Sequence, residues 1–173
     1  EAPSRGFLGF FGGKEAVVEV ERIADPVTDA VRFLAEVTDK MGLTVEVSPE
    51  RGSDHTLLNI SGSDLGILIG RRGQTLDALQ YLTNIVANQG HPGHVRFVLD
   101  AENYRKKRQE TLENLADRLV QKVKRVHQEV RLEPMSPLER KIIHTRVQKY
   151  EGVVTYSEGD EPHRRVVIAP DRR

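Results

Sequence analysis

An apolar run that stops abruptly, Gly66-Ile67-Leu68-Ile69-Gly70-Arg71-Arg72-Gly73, constrains this chain more than any other stretch. A Gly-x-x-Gly turn has no side chain to hold a partner away, so its amides and an adjoining helix N-terminus can approach an anion closely. Arg71 and Arg72 give the sign of that partner. The turn alone is a weak signal, and its surroundings decide its meaning. A phosphate loop of the Walker type is excluded, because the Gly-Lys-Ser/Thr ending is missing and the turn joins two helical patterns.

Those surroundings are well punctuated. Asp25 and Pro26 open a helix as N-cap and first helical residue. Val27, Val31, Leu34, Val37 or Thr38, and Met41 give it one apolar face, and Gly42 ends it. Leu43–Val47 alternates as a half-buried strand, residues 48–54 form a polar turn, and His55–Ser61 predicts a second strand. A short helix over Leu65–Ile69 precedes the turn, and Gln74–Gln89 is helical after it. Its expected apolar face is Leu76, Leu79, Leu82 and Val86, widened by Ala78 and Ile85. Val95–Leu99 closes the series as a strand, giving the order α-β-β-α-α-β.

The longest helical pattern covers 102–127, with Leu112, Leu115, Leu119, Val123 and Val126 at spacings of three and four. So regular a stripe suits a homodimer as well as a core. Arg105-Lys106-Lys107-Arg108 forms a basic cluster in its first turns. A short extended piece, Glu129–Leu132, leads to Ser136 and Pro137, which start a helix reaching about Lys149, with Glu139 completing a capping box. Gly152–Tyr156 and Arg164–Ile168 predict a hairpin around the acidic loop Ser157–Glu161. Ahead of all this, three phenylalanines crowd into the Gly-rich residues 4–13, and residues 15–21 alternate as an edge strand.

The formal net charge is zero, but its distribution is not even: residues 1–100 carry 9 Lys/Arg and 14 Asp/Glu, residues 101–173 carry 17 and 12. Only the second part has a generally basic field, so the charge of the Gly-Arg-Arg-Gly turn is local. The absence of cysteine excludes disulfides, thiolate zinc sites and cysteine nucleophiles. No apolar stretch approaches the ~18 residues of a membrane span, and nothing at the start reads as a signal peptide, so a cytoplasmic location is expected. His91-Pro92-Gly93-His94 lacks neighbouring ligands, and neither His-Glu-x-x-His nor Gly-x-Ser-x-Gly occurs. We expect neither an enzyme nor a cofactor.

The order over residues 26–99, with the turn between its second and third helices, resembles the prokaryotic (type II) KH domain. In that family the turn clamps about four nucleotides of single-stranded RNA or DNA by their backbone, with bases on an apolar groove. By position, the resemblance makes Gly70, Arg71, Arg72 and Gly73 the clamp and places Ile67, Ile69 and Leu76 near the groove. Arg140 and His144, four apart, share a helix face, while Ile142 and Ile143 can turn to the core. This spacing resembles the R-3-H domain (Arg-x-x-x-His), a module for single-stranded nucleic acid in which the pair lies exposed on a sheet-backed helix. Arg164 and Arg165 would extend the same basic surface.

Together with the runs Pro137–His144, Thr155–Gly159 and Arg164–Ile168, these modules resemble the Jag family (KhpB, or SpoIIIJ-associated proteins) of bacterial RNA-binding proteins. The resemblance implies an α+β protein: residues 1–24 a remnant of an N-terminal Jag domain, 25–100 a KH domain, and 101–173 an R-3-H domain of long helix, helix and small sheet. It further implies a regulator that binds single-stranded RNA, acting in cell division or elongation or beside the membrane-protein insertase, with a small KH-only protein as partner. The alternative is an interaction scaffold that binds another KH protein or the insertase complex.

Overall fold

A computed structural model describes residues 25–171, so the expectations for the Gly/Phe-rich start and the strand over 15–21 lie outside the described residues. From Asp25 the chain follows its punctuation. The Asp25 carboxylate accepts the Val27 and Thr28 amides at 3.4 and 3.2 Å and starts helix α1 (Pro26–Lys40). Strands β1 (Val45–Arg51) and β2 (Thr56–Gly62), helix α2 (Leu65–Ile69), a single 3-10 turn (Arg71–Gly73), helix α3 (Gln74–Val86) and strand β3 (Phe97–Ala101) follow in the expected α-β-β-α-α-β order. The sheet runs β1-β2-β3, antiparallel between β1 and β2 and parallel between β2 and β3, with Val47 opposite Ile60 and Leu58 opposite Leu99. Alternation sends Leu58, Ile60, Phe97 and Leu99 to one face, where they pack with Leu34, Leu68 and Leu76 of the helices.

Helix α4 (Tyr104–Val126), strand β4 (Val130–Arg131), helix α5 (Pro137–Val147) and the hairpin β5 (Val153–Glu158) and β6 (Arg165–Pro170) build a second antiparallel sheet in the order β4-β6-β5. Its core joins Leu112, Ala116, Val120 and Val123 of α4 with Ile143 and Val147 of α5 and Val166 and Ile168 of β6. The expected capping box is present: Ser136 Oγ accepts the Glu139 amide at 3.3 Å, and the Glu139 carboxylate accepts the Ser136 amide at 3.1 Å. Arg146 grips Asp117 with two hydrogen bonds of 2.7 Å and fastens α5 to α4. No helix of the described residues is long and apolar enough to cross a membrane.

Helix orientation departs from the periodicity reading. In α3 the buried residues are Leu76, Leu79 and Thr83, whereas Ala78, Leu82, Ile85 and Val86 are exposed. In α4, Val126 is exposed and Ala116 and Val120 take core positions, with Leu115 and Leu119 half-buried. Ala116 and Thr83 are fully buried on these packed faces beside larger leucines. Thr83 and Thr38 are tolerated there because each hydroxyl donates to the carbonyl four residues back, at 2.8 Å from Leu79 O and Leu34 O respectively.

A second stripe on α3 explains its rotation. Gln80 and Asn84 of α3, and Asn88 just past its end, lie four residues apart and face the free edge of β3 and the residues leading into it. Asn84 accepts the Phe97 amide and donates to the Phe97 carbonyl, both at 2.8 Å. Asn88 does the same for Val95 at 2.7 and 2.8 Å, and Gln80 Oε1 accepts the Leu99 amide at 3.0 Å. The spacings match: four helical residues rise about 6.0 Å and two strand residues about 6.6 Å. The amide side chains thus replace a missing neighbour strand and close the edge. Asn84→Ala leaves two partly buried backbone groups of Phe97 without these partners. We expect it to destabilise the fold by about 1–3 kcal/mol in urea unfolding, and an unchanged midpoint would show that water replaces the ladder without cost.

Candidate nucleic-acid interface

The Gly-Arg-Arg-Gly turn joins α2 to α3 as the sequence led us to expect, and both glycines are required by conformation. Gly70 has φ 70° and ψ −172°, and a Cβ there would lie 2.0 Å from Thr75 Oγ1. Gly73 has φ 84°, and a Cβ would lie 2.8 Å from the Tyr104 ring. Between them Arg72 takes a left-handed conformation at φ 57°, uncommon for a residue with a side chain. Gly73 is the N-cap of α3, no side chain caps the helix, and the exposed Arg71 lies beside its positive end. Ile67, one turn earlier, is 58% exposed and supplies an apolar neighbour.

Other expected groove residues are placed differently. Leu76 is fully buried in the first core and Ile69 is half-buried against it, because α2 and α3 turn these side chains toward the sheet. Arg72 also differs from the expected clamp. Its Nη1 donates to Pro134 O at 2.8 Å and its Nη2 pairs with the Glu133 carboxylate, so it reaches across to the segment before α5. Arg105 and Arg108 of the basic cluster are likewise committed. Arg105 contacts Leu99 O at 2.9 Å, Gln80 Oε1 at 3.1 Å and Asp77 at 2.8 Å, and Arg108 pairs with Glu139 at 2.7 Å. Lys106 and Lys107 are exposed. The two modules enclose a cleft of ≈ 540 Å³ whose walls include Arg71, Arg72, Ser136, Glu161 and His163.

The Arg-x-x-x-His pair does not lie exposed. Arg140 is 8% exposed, donates from Nη1 to Met135 O at 2.8 Å and pairs through Nη2 with Glu161 at 2.6 Å. His144 bridges two hydroxyls of β5, Thr155 at 2.8 Å and Ser157 at 2.9 Å. The reason is helical: Arg140, His144 and Val147 belong to the stripe that contains Ile143, and this stripe covers the sheet. Burial, and then the charge of Arg140, hold the His144 imidazole below its ordinary pKa of 6.5, which disfavours the charged form that would attract a phosphate. Arg164 precedes β6 and donates to Gly159 O at 3.3 Å, and Arg165, the first residue of β6, stands opposite Glu158. Sequence reasoning missed Glu133, Tyr104 and the Gln80/Asn84/Asn88 ladder. The i, i+4, i+8 amide spacing was the one available signal.

Two outcomes are expected. Gly70→Ala forces a side chain into a backbone region nearly restricted to glycine and onto Thr75, and should cost about 1–3 kcal/mol in urea unfolding; a neutral substitution would mean that the turn relaxes. For His144, the unfolded chain takes up a proton as pH falls below 6.5 while the folded chain still resists, so its contribution to stability is complete above that value and is lost as pH falls through the lower folded pKa. His144→Gln should therefore flatten the decline of the unfolding midpoint between about pH 7.5 and about pH 5. A decline as steep as the wild type's would assign it to other groups.

Comparison with known proteins agrees with both halves of this architecture. Residues 28–99 match the KH domain of the KhpA/KhpB type, and residues 110–170 match the R-3-H domain. The RNA-binding protein KhpB of Clostridium symbiosum is 46% identical over 174 residues, covering 99% of this chain and 78% of that protein. The RNA-binding protein KhpB of Bacillus subtilis (strain 168) is 38% identical over 175 residues, covering 99% and 84%. That of Lactiplantibacillus plantarum is 37% identical over 137 residues, covering 79% and 42%. With a KH fold carrying its Gly-x-x-Gly turn, an R-3-H fold behind it and relatives this similar along almost the whole chain, the protein belongs to the KhpB family.

Proposed function

We propose that this protein binds single-stranded RNA by its backbone, as a cytoplasmic regulator and without catalysis. The observation that carries the reading is the turn itself: two glycines that exclude side chains, an uncapped helix start and an exposed Arg71 meet at the mouth of the inter-module cleft. Arg71 makes the phosphate contact where Gly70 and Gly73 shape the turn, with Ile67 beside it for a base; the part of Arg72 is taken up below. The R-3-H domain, taken as residues 101–173 behind a KH domain of 25–100, supplies the opposite wall of the cleft. Arg140 and His144 hold that wall in shape from behind, and His163 lines the cleft itself. The names of the relatives support RNA over DNA. A role in cell division or elongation, or in membrane-protein insertion, is the cellular setting the family resemblance suggests.

A second reading has its own observation. Tyr81, Leu82, Ile85 and Val86 leave an apolar strip exposed on α3. This strip favours a protein partner, either a KH-only protein, a second copy of this chain or the insertase complex, held independently of RNA. Nuclease treatment separates the readings, since a complex on α3 survives it.

Measured against salt, affinity for a single-stranded oligonucleotide should fall with a log-log slope of about −3 if ~4 phosphates are neutralised. Arg71→Asp should weaken binding by about tenfold or more and make the slope shallower. A slope near zero in the wild type would sink the backbone clamp.

A further inference from the structure

One half of the turn faces solvent and the other is clasped by the second module. Arg72 is 26% exposed on its side chain, gives Nη1 to Pro134 O at 2.8 Å and pairs with Glu133. Next to it Gly73 lies so close under the Tyr104 ring that no Cβ fits. Tyr104 begins α4, yet packs against the first core, and Arg105 fastens the same helix start to β3 and α3. Arg71 is exposed, and no ion pair holds it among the described residues. Adjacent arginines thus point to different partners. A left-handed residue other than glycine persists where its surroundings hold it. Here the carboxylate of Glu133, the carbonyl of Pro134 and the ring of Tyr104 are those surroundings.

Resting on the RNA-binding reading, we propose that Arg72 is a positioning residue and not a phosphate ligand: paired with Glu133 of the R-3-H module, it sets the turn so that the exposed Arg71 meets the backbone. Glu133, an acid in a protein that binds a polyanion, then supports binding. Its charge is spent on Arg72, and removing it leaves the guanidinium held by Pro134 O alone and loosens the left-handed shape of the turn. The two modules become one binding unit, because the shape of the KH clamp depends on a residue more than sixty positions along the chain.

The test uses the full chain, a labelled oligouridine and a charge exchange. Arg72→Glu should weaken binding about tenfold, and adding Glu133→Arg should restore it to within about threefold, with the wild-type salt slope. Arg71→Ala should instead make the slope shallower by about 0.7, the share of one phosphate on a single strand. Glu133→Gln, nearly isosteric, should weaken binding at unchanged slope. The proposal is overturned if the exchanged pair binds as poorly as Arg72→Glu, or if Arg72→Ala makes the slope shallower as Arg71→Ala does, since Arg72 then holds a phosphate. It is also overturned if Glu133→Gln binds more tightly, since the carboxylate then competes with RNA. Urea unfolding of the same variants reads the pair without RNA: the double exchange should recover the midpoint that each single exchange loses, and strictly additive losses overturn the pairing. A wild-type chain that binds no oligonucleotide while its pair couples in urea defeats the RNA reading alone.

Discussion

The free edge of β3 is the constraint on which the arrangement depends. Val95, Phe97 and Leu99 have backbone groups with no neighbouring strand to receive them, and partly buried groups of this kind must be satisfied. Gln80 and Asn84 of α3 and Asn88 just past its end do so, and Arg105 completes the row at the Leu99 carbonyl. Because the amides must meet the strand, the rotation of α3 is set. The Gly-Arg-Arg-Gly turn is then held at its start and the exposed apolar strip is left on its far side. Because Arg105 belongs to α4, the same edge also fixes where the second module begins.

The second module shows how a motif can be recognised while its orientation is misjudged. Arg140 and His144 share a face, as their spacing requires, but that face also holds Ile143 and Val147 and packs on the sheet. A guanidinium can lie there because a carbonyl and a carboxylate receive it, and an imidazole because two hydroxyls of β5 do. Their work is to fix α5 to the hairpin and to Glu161 at the rim of the cleft. Arg71 of the Gly-Arg-Arg-Gly turn, by contrast, is exposed.

Much of this was legible in the residues. Asp25-Pro26 and the Ser136 to Glu139 capping box act through bonds to near neighbours in sequence, and the turn glycines through their own backbone angles, so local reading found them. Helix faces were less legible. Leu82 and Val86 fit an apolar stripe as well as Thr83 and Ala87 do, and hydrophobicity favours the wrong set. What decides is that a threonine can satisfy its own hydroxyl, and that three amide side chains on the adjacent face have a strand edge to meet. The roles of Arg71 and Arg72 were indistinguishable in sequence, since the two residues are identical and adjacent.

The sequence by itself determined the elements, their order, the conformation of the turn and the family, because capping, glycine geometry and strand alternation are properties of short stretches. Only the tertiary structure decided which arginine stays exposed and which is paired, which face of α3 is buried and that the Arg-x-x-x-His pair looks inward. Those outcomes rest on partners distant in sequence, Glu133 for Arg72, the β3 edge for α3 and β5 for His144, and a charge or an amide acts only where its partner stands.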